Sequence, residues 1–79
     1  MNKNLINDLK EIFSSVFNIN KEEINENTAL YSLPEWDSIK HFDLITSLEE
    51  EFSIEFEQSE IESMINFRIV HATVEAYLY

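Results

Sequence analysis

One amphipathic segment, from Asp37 to Phe52, limits the folds open to this chain. Asp37 can accept hydrogen bonds from free backbone N–H groups as an N-cap, and its charge complements the positive end of a helix dipole. The segment predicts a helix to about Phe52, with Ser38 on its first turn. Apolar residues at helical spacing give this helix a side that should be buried: His41, Leu44, Ile45, Leu48 and Phe52, with Phe42 at the flank.

The opposite side of this helix should face water. Its residues are spaced i, i+4, i+7 and i+11: Ile39, Asp43, Thr46 and Glu50. A large aliphatic residue among acids suggests a docking contact for a partner. Scattered apolar residues are also ordinary on protein surfaces, so the alternative is that Ile39 tucks under the preceding loop.

Three further helices are predicted from periodicity and caps. The first spans about 4 to 17, with Asn2 or Asn4 as cap, and has an apolar stripe of Leu5, Leu9, Ile12, Phe13, Val16 and Phe17. A short third helix, about 59 to 65, follows from the capping-box spacing that begins at Ser59, and should bury Ile61, Met64 and Ile65. The last, about 67 to 78, is capped by Asn66. Its inward residues should be Val70, Val74, Tyr77 and Leu78, with His71 and Thr73 near the margin.

The connection from residue 18 to residue 36 lacks periodicity and is long for a loop in a small domain. Apolar residues should pin it across the core: Ile24, Ala29, Leu30 and Leu33. Thr28 could cap a single turn over 29 to 32, and the alternation over 53 to 56 predicts an extended connector. The chain has no glycine, so any left-handed helix end must be supplied by Asn or another residue.

These elements predict an all-α fold of one domain over residues 1–79, a four-helix bundle with three main helices and one short one. A chain of 79 residues buries only roughly 60% of the surface that its unfolded form exposes, so a deep catalytic cleft is not expected. The absence of cysteine rules out disulfides and thiolate metal sites. No apolar run is long enough to span a membrane and no signal peptide is visible, which predicts a cytoplasmic protein.

The charge is strongly acidic and unevenly placed. The formal net charge is −11, and between His41 and Phe67 there are eight acidic residues and no Lys or Arg. Such a surface repels nucleic acid and anionic membranes and attracts basic protein patches. Simple solubility would also account for it.

Catalytic and metal sites do not fit the sequence. Ser38 and His41 lie i, i+3, but a hydrolase would need a glycine-rich nucleophile turn that is missing here. His71 has no cysteine near it to complete a metal site. The segment from 18 to 29 lacks the glycine and the final glutamate of an EF-hand. We therefore expect neither catalytic residues nor a resident metal.

The layout as a whole resembles a discrete bacterial acyl carrier protein. The resemblance is carried by Thr28-x-Leu30, by Leu33-Pro34-Glu35-Trp36-Asp37-Ser38-Ile39, and by Leu48-Glu49-Glu50-Glu51-Phe52-x-Ile54. It covers nearly the whole chain. Asp-Ser-Ile alone is a weak motif, but its place before an acidic amphipathic helix in a chain of this length is specific.

The resemblance implies an acyl-carrier-protein-like bundle and a carrier rather than an enzyme. Ser38 would be esterified by 4′-phosphopantetheine from coenzyme A, added by a phosphopantetheinyl transferase with Mg²⁺, and the arm would carry acyl groups as thioesters. Asp37 would assist the transferase. Partner enzymes of a fatty-acid, polyketide or specialised pathway, which load and process the acyl group through basic docking patches, would meet a monomer at Ile39, Asp43, Glu49 and Glu50.

Two positions depart from or qualify the resemblance. Many members have an acidic residue two places after the serine, where this chain has Lys40; with Trp36, this hints at a specialised carrier. Trp36 is more simply a core anchor for the loop.

Two alternative functions stay open. One is an unmodified acidic helical adaptor, in which Ser38 merely caps a helix. The other is an aminoacyl or peptidyl carrier, although those usually have glycines before the serine.

Overall fold

The computed structural model describes residues 3–29 and 33–79. These residues form four α-helices, named α1 (Lys3–Phe17), α2 (Ser38–Phe52), α3 (Gln58–Ser63) and α4 (Phe67–Leu78). A 3-10 turn, Lys21–Glu23, lies in the described part of the long loop. The predicted all-α class, with three main helices and one short helix, is confirmed.

The helix ends follow from local chemistry. Asp37 is the N-cap of α2, and its Oδ1 accepts a hydrogen bond of 2.9 Å from the Lys40 backbone N–H. Asn66 caps α4 in the same way, by accepting from the Ile69 N–H at 2.8 Å. Both caps were predicted. After α1 and α2 the chain turns through left-handed residues, Asn18 at φ 58° and Ser53 at φ 57°, as the lack of glycine required.

The core is built around aromatic rings. Phe13 lies 5.4 Å from Trp36 and 5.0 Å from Phe67, centroid to centroid, in edge-on contacts. Phe17 packs 5.2 Å from the same Trp36 ring. Trp36 is only 2% exposed, so its predicted role as a core anchor for the loop is confirmed. Aliphatic residues of the three long helices and of the connections complete the core: Leu5, Leu9, Ile24, Leu44, Ile45, Leu48, Met64, Val70 and Val74.

The long loop is tied to the start of α4. Thr28 O accepts a hydrogen bond of 2.8 Å from the Phe67 N–H, and Ala29 forms an isolated bridge with Asn66. Ile24 is buried and Leu33 packs partly buried against the core, as predicted. Leu30 and most of the predicted turn over 29 to 32 lie outside the described residues. The loop is therefore part of the packed structure on both sides of that gap.

Several predicted positions are wrong. α1 already includes Asn4, so Asn4 is not its cap, and Asn2 lies outside the described residues. The capping box of α3 begins at Glu57 rather than Ser59, because the Glu60 side chain accepts the Glu57 N–H at 2.9 Å. The connector before it begins with the left-handed Ser53 rather than an extended residue.

Two aromatic side chains predicted to lie on buried faces are exposed. Phe42 is 65% exposed and Tyr77 is 38% exposed. Tyr77 lies at the rim, where its ring meets Phe56 edge-on at 5.3 Å and its hydroxyl donates to Glu60 Oε1. Ile61, Ile65 and Leu78 are only partly buried. A rim position satisfies both the ring and the hydroxyl of a tyrosine.

Candidate functional site

Ser38 is the first residue of α2, and its side chain is exposed. The residue before it, Asp37, is extended and caps the helix, which fixes the direction in which the chain enters α2. One residue earlier, Trp36 is buried, and its backbone N–H donates a hydrogen bond of 2.9 Å to Leu33 O. A hydroxyl on an exposed first turn, behind a buried anchor, is accessible to a large partner while its backbone stays fixed.

His41, one turn into α2, makes contacts that its sequence pattern does not reveal. Its Nδ1 accepts a hydrogen bond of 3.0 Å from Trp36 Nε1, and its Nε2 lies 2.9 Å from Ile61 O in α3. The two rings are stacked, with centroids 6.0 Å apart. The available signal was that a buried tryptophan N–H needs an acceptor, but nothing in the sequence identified that acceptor.

Both nitrogens of His41 are therefore engaged away from Ser38. A serine nucleophile needs a base within hydrogen-bond reach, and this imidazole bonds to Trp36 and Ile61 instead. The expectation that Ser38 and His41 do not form a hydrolase pair agrees with this geometry. His41 is half-buried and lies on the side of α2 that was predicted to face the core.

A groove of about 260 Å³ opens beside Ser38. Residues of α2 form one wall, and residues of α3 and the segment after it form the other. Most of the surface that lines the groove is apolar. The main lining residues are Ser38, His41, Phe42, Ile61, Glu62 and Ile65.

The outward side of α2 carries most of the predicted docking residues. Ile39 is 74% exposed, which excludes the alternative that it tucks under the preceding loop. Asp43, Thr46 and Glu50 are also exposed, so the predicted water-facing stripe is confirmed. Phe42 extends the apolar surface next to Ile39, since residues three apart on a helix are neighbours.

Glu49 and Glu50 do not lie in equivalent environments. Glu49 Oε2 accepts a hydrogen bond of 2.9 Å from the Phe56 N–H, and its backbone carbonyl accepts from Ser53 and Ile54. Glu49 thus holds the turn between α2 and α3. Glu50 lines a separate groove of about 300 Å³ between α1 and α2, together with Glu51, Ile12 and Val16.

The clearest pKa shifts lie where α3 meets α4. A hydrogen bond from Tyr77 lowers the pKa of Glu60, helped by the Glu57 N–H. The same bond to Glu60 raises the pKa of Tyr77 to about 12. This pair links α3 to α4.

Within residues 3–29 and 33–79, no three His, Asp or Glu side chains converge as a metal site. No helix in the described part of the chain has the length and apolar content needed to cross a membrane.

The geometry suits a phosphodiester on Ser38. The hydroxyl is exposed at a helix N-terminus, where backbone N–H groups and the helix dipole favour an anion, and a groove leads away from it. The family described as the phosphopantetheine attachment site matches residues 7–66, a segment that includes Ser38 and the whole of α2. A search among curated proteins found no match. The chain therefore belongs to the phosphopantetheine attachment-site family of carrier proteins, and its prosthetic group is 4′-phosphopantetheine.

Proposed function

We propose that Ser38 Oγ is the atom that receives the phosphopantetheine arm, and that the chain carries acyl groups on it. The observation that supports this most directly is the exposed Ser38 at the first position of α2, behind the N-cap Asp37. In the loading step, Ser38 Oγ forms a bond to the phosphorus of coenzyme A that bears the pantetheine. The bond from that phosphorus to the adenosine bisphosphate breaks, and the serine proton is released.

The chain's own residues fix and stabilise the attachment point. The N-terminus of α2 favours the negative phosphodiester, while Asp37 already occupies the Lys40 N–H. When bound, the arm supplies the terminal thiol that a chain without cysteine lacks. The thiol carries the acyl group as a thioester, and a flexible arm raises its effective concentration at a docked enzyme.

Docking of partner enzymes is assigned to the outward side of α2. Ile39 would enter an apolar pocket on the partner, and Asp43 and Glu50 would face basic residues around it. Glu49 belongs to the proposed set as well, although its carboxylate already bonds to the Phe56 N–H. The partners are a phosphopantetheinyl transferase, which would read Asp37, and the enzymes that load and process the acyl group, meeting the carrier as a monomer.

The cargo and pathway are proposed from the sequence around Ser38. No glycine precedes the serine, which favours acyl over aminoacyl groups in this kind of carrier. Lys40 replaces the acid that many such carriers have, which favours a specialised pathway over general fatty-acid synthesis. Since loading consumes coenzyme A, we propose the cytoplasm as the place where the chain works.

Intact mass tests the attachment directly. The protein is incubated with coenzyme A, Mg²⁺ and a broad-specificity phosphopantetheinyl transferase, beside Ser38→Ala and Ser59→Ala. We expect one phosphopantetheine on the wild type and on Ser59→Ala, whose serine is exposed on α3, and none on Ser38→Ala. Modification of Ser38→Ala would place the arm elsewhere.

Failure of every transferase to modify the wild type would favour the unmodified adaptor. Lys40→Asp separates the two explanations, because it restores the acid that common transferases read without touching Ser38. Gain of the arm by Lys40→Asp alone would show that the transferase was unsuitable and that the site is correct.

The docking surface is tested by binding to a partner enzyme. Glu50→Gln should weaken this binding and make it less dependent on salt, whereas Thr46→Ser on the same stripe should leave binding unchanged.

A further inference from the structure

The imidazole of His41 connects three parts of the molecule that surround Ser38. Trp36 precedes Ser38 by two residues, His41 follows it by three, and Ile61 belongs to α3. The distances are 3.0 Å from Trp36 Nε1 to His41 Nδ1 and 2.9 Å from His41 Nε2 to Ile61 O. We call this pair of contacts the His41 bridge.

The partners fix the protonation of the imidazole. An indole nitrogen can only donate a hydrogen bond, and a carbonyl oxygen can only accept one. Nδ1 must therefore be the bare acceptor for Trp36, and Nε2 must carry the hydrogen that goes to Ile61 O. The bridge exists only with a neutral ring in the Nε2–H form, since a proton on Nδ1 would face the Trp36 N–H.

α3 depends on such contacts for its position. A helix of six residues is far too short to be stable by itself. Its start is held by the reciprocal Glu57 and Glu60 hydrogen bonds, and Glu60 also binds Tyr77 of α4. The His41 bridge attaches its C-terminal half to α2, because Ile61 O is bonded to an imidazole from the turn that follows Ser38.

The bridge also spans the groove beside Ser38. His41 and Ile61 both line it, from opposite walls. A change in the distance between these two residues is a change in the width of the groove. Glu62 of α3 is a charged residue that lines the groove, and Lys40 and Asp37 flank Ser38 on the α2 side.

We propose that His41 is a positioning residue, which in its neutral Nε2–H form holds α3 against the Ser38 end of α2 and so sets the width of the groove into which the arm leaves Ser38. That the arm enters this groove rests on the proposed function, whereas the contact between α2 and α3 does not. A simpler role, in which His41 only satisfies the buried Trp36 N–H, would leave α3 unaffected by the Nε2 contact.

Two substitutions separate the halves of the bridge. The amide nitrogen of glutamine occupies the place of imidazole Nε2, so His41→Gln keeps the donor to Ile61 O and loses the acceptor for Trp36. The amide oxygen of asparagine occupies the place of Nδ1, so His41→Asn keeps the acceptor for Trp36 and loses the contact to α3. Thr46→Asn, at an exposed position of α2, controls for the weaker helix propensity of asparagine.

Amide hydrogen exchange by NMR on the unmodified protein measures the coupling. We expect the Ile61 and Met64 amides to exchange about tenfold faster in His41→Asn than in His41→Gln, which is the effect of losing one hydrogen bond. Thr46→Asn should match the wild type. Equal exchange of these amides in the Gln and Asn variants would overturn the proposal in favour of the simpler role.

A second measurement reads the ring itself. A long-range ¹H–¹⁵N spectrum at about pH 8, where imidazoles are neutral, should show the His41 hydrogen on Nε2 and a bare Nδ1. Trp36→Phe removes the donor and should let the Nδ1–H form appear. A wild-type ring protonated at Nδ1 would overturn the bridge whatever the exchange data give.

The loaded protein tests the groove. Attachment of the arm to Ser38 should shift the methyl signals of Ile61 and Ile65 in the wild type and in His41→Gln, and shift them less in His41→Asn. Equal shifts in the two variants would overturn the role of His41 at the groove. If the wild type cannot be loaded, the proposed function fails, while the exchange experiment still decides whether His41 positions α3.

Discussion

The side chain of Asp37 has two roles, as a helix cap and as a charge beside Ser38, and substitutions can separate them. Its carboxylate caps α2 by accepting the Lys40 N–H at 2.9 Å, and its charge lies next to the proposed attachment serine. Asparagine caps helices about as well as aspartate, whereas alanine does not. We expect Asp37→Ala to lower the free energy of unfolding by about 1 kcal/mol, and Asp37→Asn to change it little, in urea titrations followed by circular dichroism.

The same two variants test recognition by the transferase. If the charge of Asp37 assists the transferase, Asp37→Asn should be modified more slowly than the wild type although it is equally stable. Modification of Asp37→Asn at the wild-type rate would limit the role of Asp37 to capping.

Tyr77 and Glu60 form the pair whose protonation couples to stability. The hydrogen bond to Glu60 raises the pKa of Tyr77 to about 12 from the ordinary 10.0, so the folded protein holds this proton more tightly than the unfolded chain. Stability from this group is complete below pH 10 and is lost as the pH rises towards 12. The pKa of Glu60 is lowered, so its contribution is lost in acid, as the pH falls through its folded value.

Thermal unfolding midpoints against pH test this pair. Between about pH 10 and pH 12 we expect the midpoint of the wild type to fall more steeply than that of Tyr77→Phe, which lacks the hydroxyl. Tyr79→Phe is the matched control, because Tyr79 is 79% exposed at the end of the chain. Parallel curves for the wild type and Tyr77→Phe would contradict the coupling.

At the scale of the helices, the two left-handed residues that follow α1 and α2 should differ in the conformational free energy that they cost. Ser53 and Asn18 follow α2 and α1 at φ 57° and 58°. Left-handed backbone is unfavourable for residues with a Cβ, although asparagine tolerates it better than most. We expect Ser53→Gly to raise the free energy of unfolding by about 0.5 to 1 kcal/mol in urea titrations, and Asn18→Gly to raise it less. A destabilised Ser53→Gly would mean that the Ser53 side chain contributes more than its backbone costs.

Helix bounds were predictable where periodicity and a cap agreed. The sequence predicts where α2 and α4 begin, because Asp37 and Asn66 each precede a long apolar stripe. Both N-caps are present in the structure. α3 is different. Capping-box spacing occurs both at Glu57 and at Ser59, and Glu60, which closes the box with Glu57, also accepts a hydrogen bond from Tyr77, seventeen residues away. Spacing along the chain does not contain that contact.

The candidate site was also predictable only in part. The position of Ser38 on an exposed first turn follows from the N-cap, which is local. The His41 bridge and the exposure of Phe42 depend on where α3 lies, and Ile61 of α3 is twenty residues from His41 along the chain. A period of 3.6 residues assigns His41 and Phe42 to a face of a helix, but only packing decides whether that face is covered.

At the scale of the whole molecule, net charge opposes folding. Sixteen acids and five basic residues give −11 on 79 residues, and compaction brings these acids closer together. Opposite charges offset little of this in the described residues: the Lys21–Glu11 pair is 3.4 Å apart and exposed on both sides, where ion pairs contribute little. Repulsion should therefore outweigh attraction, which sets the sign of the salt effect.

We expect the thermal midpoint to rise when NaCl increases from about 0.01 M to about 0.1 M, because the screening length falls from about 30 Å to about 10 Å. Glu50 and Glu51 are adjacent exposed acids on α2, so the double variant Glu50→Gln/Glu51→Gln should be more stable than the wild type in low salt and less sensitive to added salt. Lys10→Gln, which removes a charge of the opposite sign, should be less stable in low salt. A midpoint that fell with salt would mean that specific ion pairs outweigh the repulsion among the acids.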